Sequence, residues 1–268
     1  MALRLVDIGA NLAHDSFDPD RATVLREARE AGVERIVITG SSVDSSLAAA
    51  KLAAEAPGFL YATAGMHPHH ASDYDDAAHA TFSNLASDGS VVAVGECGLD
   101  YFRNFSPREA QRDAFARQLD IAIETGLPVF LHERDAHDDY VEILKPRLAK
   151  ISRAVAHCFT GTEQQLRTYI DMGLYIGITG WICDERRGSH LKEIVHLVPP
   201  DRLMLETDAP YLLPRSLRPK PKSRRNEPKY LPEVLHTVAE ACGKSAESIA
   251  ARTRQNACRF FGLGEDSG

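Results

Sequence analysis

Eight short runs of β-branched and apolar residues, separated by stretches of helical periodicity, restrict this chain to a repeating strand and helix plan. The runs fall at 4–9, 35–40, 60–65, 91–95, 128–132, 154–159, 174–179 and 203–207. Segments between them, such as 19–32, 106–126 and 162–173, carry a cap or proline near their start and glycine at their end, as helices do. Eight such units fit a closed parallel barrel better than an open doubly wound sheet, which more often has about five to seven strands. The expected fold class is therefore α/β, a single (β/α)8 TIM barrel. After the eighth run comes a Pro/Lys/Arg-rich stretch, 214–228, then two helical segments at 230–242 and 245–261. Residues 1–263 are read as one domain and 264–268 as a short C-terminal tail.

Composition excludes several function classes. The net charge of −7 disfavours gripping duplex DNA by bulk charge, so any nucleic-acid contact must be local. Five cysteines, widely spaced and without a C-x-x-C pair, argue against a disulfide framework and a structural zinc knuckle. They are expected to be reduced packing residues. No run approaches the roughly 18 apolar residues of a membrane span, and residues 1–6 hold no signal-peptide core. The expectation is a cytoplasmic protein with no membrane contact, and a monomer.

Barrel enzymes gather their reactive groups where strands end. Here Asp7 and Asn11 bracket the end of the first run. His67 and His69 follow the third, Glu96 the fourth, and His132 and His157 the fifth and sixth; Asp208 follows the eighth. One strand-end histidine is more often merely hydrogen-bonded, but a set this regular is not needed for folding. A carboxylate plus two imidazoles is a usual ligand set for a hydrolytic metal, so Glu96, His132 and His157 are the candidate metal triad. Alternation along a strand would turn Cys97 and Cys158 away from the metal and into the core.

Several longer stretches carry a further resemblance. Asp7-Ile8-Gly9-Ala10-Asn11-Leu12, Gly65-Met66-His67-Pro68-His69 and Gly95-Glu96-Cys97-Gly98-Leu99-Asp100 are followed by His157-Cys158-Phe159-Thr160-Gly161, Glu206-Thr207-Asp208-Ala209-Pro210-Tyr211 and Arg225-Asn226-Glu227-Pro228. Together they resemble the TatD family of metal-dependent deoxyribonucleases almost end to end. The stretch 176–188 is similar to the branch that gives the family its name. The resemblance implies an amidohydrolase-like barrel and a Mg²⁺-dependent nuclease that degrades single-stranded DNA, and RNA as an open option, from the 3′ end, with a DNA-repair or degradation role. It matches Glu96, His132 and His157 to metal ligands, and Asp208 to the acid that binds metal or activates water. One departure stands out: most members carry two histidines where this chain has Gly9 and Asn11, which implies a weaker or differently built second metal site.

Roles follow from what phosphodiester cleavage needs, namely an activated water, charge stabilisation and help for the leaving oxygen. Asp208 is the candidate proton acceptor, and Glu206, two residues earlier on the same strand, would orient the site from one layer deeper. His67 is either an acid at the leaving oxygen or a partner of the ligands. Asn11, His69 and Arg134 are candidate substrate contacts. So are Arg224 and Arg225, the end of a run with Arg215, Arg218, Lys220 and Lys222 and no acid between them. Tyr101, Phe102, Phe105, Phe159 and Trp181 follow strand ends, where they could stack on unpaired bases; as single residues they are more often core. Mixed oxygen and nitrogen ligands admit Mn²⁺ or Zn²⁺ beside Mg²⁺. Two alternatives stay open: an amidase or esterase on the same barrel, and a nucleic-acid-binding protein whose catalysis has weakened.

Overall fold

In the computed structural model, residues 3–264 are described apart from Asp88 and Ser90, so the expected tail at 264–268 lies outside the described residues except for Gly264. Eight strands occur in the order β1 to β8 within one sheet, each next to its neighbours in sequence, as in a (β/α)8 barrel. The strand pairs are parallel where a register is defined, for example Gly98 opposite His132, Phe130 opposite Val155 and Gly177 opposite Met204. No helix of the described residues is long and apolar enough to cross a membrane.

Two compact units are distinguished. One comprises Ile38–His157 and Arg167–Tyr175. It contains β3 (Leu60–Ala64), β4 (Val91–Asp100), β5 (Val129–Arg134) and β6 (Ala154–Ala156), with helices α2 (Val43–Glu55), α3 (Asp76–Ala86), α4 (Arg108–Thr125) and α5 (His137–Leu144). β4 and β6 are buried at every position, as befits parallel strands covered on both faces. Helix starts are chemically marked: Ser42 and Ser45 form a reciprocal capping box on α2, and Asp75 accepts from the Ala78 N–H at the start of α3. α4 stops at Gly126, which takes the left-handed conformation at φ 73°. In the core, Phe115 and Tyr140 stack at 5.5 Å, and Phe82 and Phe130 are fully buried.

The other unit comprises Met1–Val37, Cys158–Leu166 and Ile176–Gly268. It holds β1 (Leu5–Ala10), α1 (Arg21–Glu30), the start of α6 (Glu163–Asp171), α7 (Ser189–Ile194), β8 (Leu203–Leu205), α8 (Leu231–Ala241) and α9 (Ala246–Phe261), with most of β2 (Val33–Ile38) and β7 (Tyr175–Ile178). The first and last strands meet here: the Asp208 N–H donates to the Gly9 carbonyl at 2.8 Å, and the Asn11 N–H to that of Ala209 at 2.6 Å. Buried Asn256 on α9 donates to the carbonyls of Pro200 and Leu203 and so fixes α9 against the start of β8.

Strand ends depart from the sequence expectation in several places. β4 continues past Gly95 for five more residues to Asp100, whereas β6 and β8 stop at Ala156 and Leu205. The five cysteines are free, as expected, but Cys158 is not a core residue on a strand: it is half-buried, beyond β6, at φ 46°. The extension of β4 depends on Gly98, whose φ is +148° and where a Cβ would collide with the carbonyl oxygen of His132. Gly98→Ala is expected to destabilise the metal-free protein by about 3 kcal/mol, through backbone strain plus overpacking at β5. Urea unfolding measures this, and a loss under about 1 kcal/mol would show that β4 and β5 tolerate separation there.

Candidate metal centre

The long β4 determines the site in the unit that contains it. Along this strand Glu96, Gly98 and Asp100 share a face, while Cys97 and Leu99 face the other way and are fully buried. Glu96 Oε1 is the hub. His132 Nδ1 from β5 lies 2.9 Å away, His157 Nε2 just beyond β6 lies 3.1 Å away, and His67 Nε2 just beyond β3 lies 3.5 Å away. Among the described residues, the His, Cys, Asp and Glu groups whose ligand atoms all lie within 4.8 Å of one another are His67, Glu96 and His132. His67, expected as an acid or a partner of the ligands, thus stands among the candidate ligands. His157 joins them through Glu96.

Asp100 forms a second acidic point. Its Oδ2 lies 2.8 Å from His69 Nε2 and 3.5 Å from His132 Nε2, and its Oδ1 accepts from the Arg103 N–H at 2.8 Å. His132 Nε2 is buried without a hydrogen bond of proper geometry. Burial works against charge throughout this cluster, yet it is outweighed at three groups. The imidazoles of His67 and His157, with hydrogen bonds from His132 and His157, hold the Glu96 carboxyl well below the usual carboxylate range. The His132 and His69 imidazoles beside Asp100 do the same to its carboxyl. Both carboxylates push the His132 imidazole up to about 9, whereas burial drives His67 well below its ordinary 6.5. Two buried carboxylates holding a cation on a strand-end imidazole is the electrostatic setting that a divalent metal needs. The nitrogen and oxygen donors fit such an ion.

Helix α4 holds this arrangement through two buried glutamines, Gln111 and Gln118, seven residues apart on one helix face. Gln118 accepts from the Met66 N–H at 2.7 Å and donates to the Met66 carbonyl at 3.1 Å, fixing the backbone beside His67. Gln111 does the same for Asp100, accepting from its N–H at 2.8 Å and donating to its carbonyl at 3.2 Å. Asp100 and these glutamines are missing from the expected site. The signals were present in the sequence: Asp100 alternates with Glu96, and two amides interrupt an apolar stripe.

In the other unit, Asp208 is half-buried at φ 57° and accepts from Asn11 Nδ2 at 3.2 Å. Asp7, fully buried, accepts from the Thr207 N–H at 2.9 Å and from the Thr207 hydroxyl at 2.5 Å. Glu206 is also fully buried and accepts from the Cys158 N–H at 2.5 Å, so it anchors the residue that follows His157. Since β8 ends at Leu205 and Asp208 is left-handed, the two acids do not share a strand face as alternation predicted.

The expected substrate contacts divide. The Arg134 guanidinium carbon lies 4.3 Å from the Phe102 ring centre. Arg224 is exposed. Arg225 is tied down inside the protein: its terminal nitrogens bond both Asp20 oxygens, Glu227 and the Ser16 carbonyl, and its guanidinium covers Phe17. That pairing makes Arg225 a structural clamp and leaves Arg224 as the exposed cation of the pair. Trp181 donates to the Arg187 carbonyl and has the Arg187 guanidinium over its ring at 4.3 Å. Phe159 is buried and is not available to stack on a base.

Strand-end imidazoles gathered on a carboxylate, within a (β/α)8 strand order, define the class of metal-dependent barrel hydrolases. The family model described as TatD related DNase matches residues 6–262, and the chain belongs to that family. A protein of Erwinia tasmaniensis named "3'-5' ssDNA/RNA exonuclease TatD" is 52% identical over 259 residues, covering 97% of this chain and all of its own. A protein of the same name from Pantoea vagans is 51% identical with the same coverage. Among solved structures, the YJJV TatD homologue of Escherichia coli k12 superposes with a TM-score of 0.89 at 28% identity, over 98% of this chain and 100% of its own. A TatD family hydrolase from Entamoeba histolytica gives 0.88 at 25%, with the same coverage.

Proposed function

We propose that this chain is a metal-dependent exonuclease that hydrolyses phosphodiester bonds of single-stranded DNA, and also RNA, from the 3′ end. The observation that carries the reading is the Glu96 hub, with three imidazoles around one carboxylate oxygen, in a member of a DNase family. His67, Glu96, His132 and His157 would hold the ion, with Mg²⁺ as the working metal and Mn²⁺ or Zn²⁺ as substitutes. When bound, such an ion neutralises phosphate charge and acidifies water.

The remaining roles belong to the chain. Asp100, beside His69 Nε2 and His132 Nε2, keeps these imidazoles oriented, as carboxylates do for metal-binding histidines. Asp208, supported by its match to the family motif, accepts the proton of the attacking water, and Asn11 fixes one of its oxygens. Arg134 and Arg224 contact phosphates. Residues 1–263 would act as one catalytic domain, in a cytoplasmic monomer that serves DNA repair or degradation.

The test uses the full chain stripped with a chelator and single strands labelled at either end. With Mg²⁺ or Mn²⁺ restored, a 5′ label is expected to yield a ladder of progressively shorter products, while a 3′ label is released first as mononucleotide. Each phosphate contact should add roughly 0.7 to the negative slope of log affinity against log salt. Absence of cleavage with every metal, or release starting at the 5′ end, would overturn the assignment.

A further inference from the structure

Among the described residues, the large apolar side chains that stand exposed include Phe102, 55% accessible, and Phe105, 68% accessible. Both lie on the loop that follows β4, within six residues of Asp100. Folding gives no reason to leave two phenyl rings in water, since burying each would stabilise the fold by roughly 1.5–3 kcal/mol. Nor is this loop loosely held. Asp100 accepts from the Arg103 N–H, Gln111 donates to the Ser106 carbonyl at 2.8 Å, and the buried Ser106 hydroxyl donates to the His69 carbonyl at 2.9 Å. Buried polar side chains therefore pin the loop at both ends while its rings face outward.

The rings also adjoin the metal cluster. Phe105 packs on His69 with ring centres 4.7 Å apart, His69 lies 4.1 Å from His67, and His67 lies 4.4 Å from His132. Phe102 is flanked by the guanidiniums of Arg134 at 4.3 Å and Arg103 at 5.7 Å. Cations beside exposed rings suit a ligand that carries both phosphates and flat apolar faces. An unpaired nucleic-acid strand has both, whereas a duplex has its bases already stacked.

We infer that Phe102 and Phe105 form a base-stacking subsite that seats the unpaired bases next to the phosphate held at the Glu96 cluster. This rests on the nuclease reading and deepens it by naming where the bases lie. A fixed platform selects single strands without reading sequence, because every base has a stacking face. It also lowers the ordering cost of binding, since the loop is already in place.

The test measures binding of the full chain to two labelled oligomers of equal length, one ordinary single-stranded DNA and one with abasic sites, in chelator so that nothing is cut. The Phe102→Ala/Phe105→Ala variant is expected to bind the ordinary strand at least tenfold more weakly, on the scale of one lost stacking contact. Its affinity for the abasic strand and its Tm should match the parent protein's. Phe102→Trp/Phe105→Trp should restore binding. Equal loss on both oligomers, or none on either, would overturn the subsite while leaving the nuclease reading intact if the parent protein still digests single strands. A parent protein that neither binds nor digests them would overturn both.

Discussion

Glu96→Gln is expected to lower metal-dependent turnover on single-stranded DNA by roughly 10³-fold, the upper end of what one preorganised charge contributes to a rate. The substitution preserves size and removes only the charge. In the parent protein one carboxylate oxygen faces His132, His157 and His67 at 2.9, 3.1 and 3.5 Å, so a neutral amide there leaves three imidazoles without their common anion. Metal affinity should fall with turnover, which calorimetric titration with Mn²⁺ would read directly. The metal-free protein supplies an independent readout: burial lowers the His132 pKa, but Asp100 and Glu96 together raise it to about 9, so loss of one of them should bring it down. Glu96→Asp, which keeps the charge but draws it back by one methylene, should fall between the two. A glutamine variant that keeps turnover within tenfold of the parent, at matched metal concentration, would remove Glu96 from the centre of the site.

The strand and helix plan is legible because parallel strands buried on both faces read as short apolar runs, and glycines mark many of their ends. That same punctuation misleads in β4. Gly95 reads as a stop, yet the strand continues, because Gly98 allows β5 to approach where a Cβ would collide with His132. Continuing the alternation from Glu96 would have reached Asp100, the carboxylate that orients His69. The candidate metal ligands were visible because so many strand ends carry an imidazole or a carboxylate at once, a regularity that folding does not need. The basic run from Arg215 to Arg225 was harder to interpret. Local charge says nothing of partners distant in sequence, and Arg225 finds its partner in Asp20, 205 positions earlier. Arg224, one residue before, remains exposed; only the fold separates the clamp from the candidate phosphate contact.

Asp7→Asn is expected to abolish a fall in stability of about 4 kcal/mol that the parent protein undergoes between pH 4 and 8. Burial raises the Asp7 carboxyl from an ordinary 3.8 to about 7, against hydrogen bonds from Thr207 and Gly9 that lower it and with a further push upward from Glu206. Between those two values the native protein keeps a proton that the unfolded chain has already released. Stability therefore declines as pH rises through that window and levels off above the folded value. Asparagine has no proton to lose and still accepts the Thr207 N–H, so its curve lacks this slope, while near pH 4 the two proteins should be close. Urea titrations of metal-free parent and variant across this range give the difference directly, because titrations shared by both cancel. Parallel curves would mean that Asp7 is ionised throughout and that its hydrogen bonds, not its burial, govern it. A vanished slope would mean that below about pH 7 a protonated acid holds Thr207 beside Asp208, placing the candidate proton acceptor without a full second negative charge behind it.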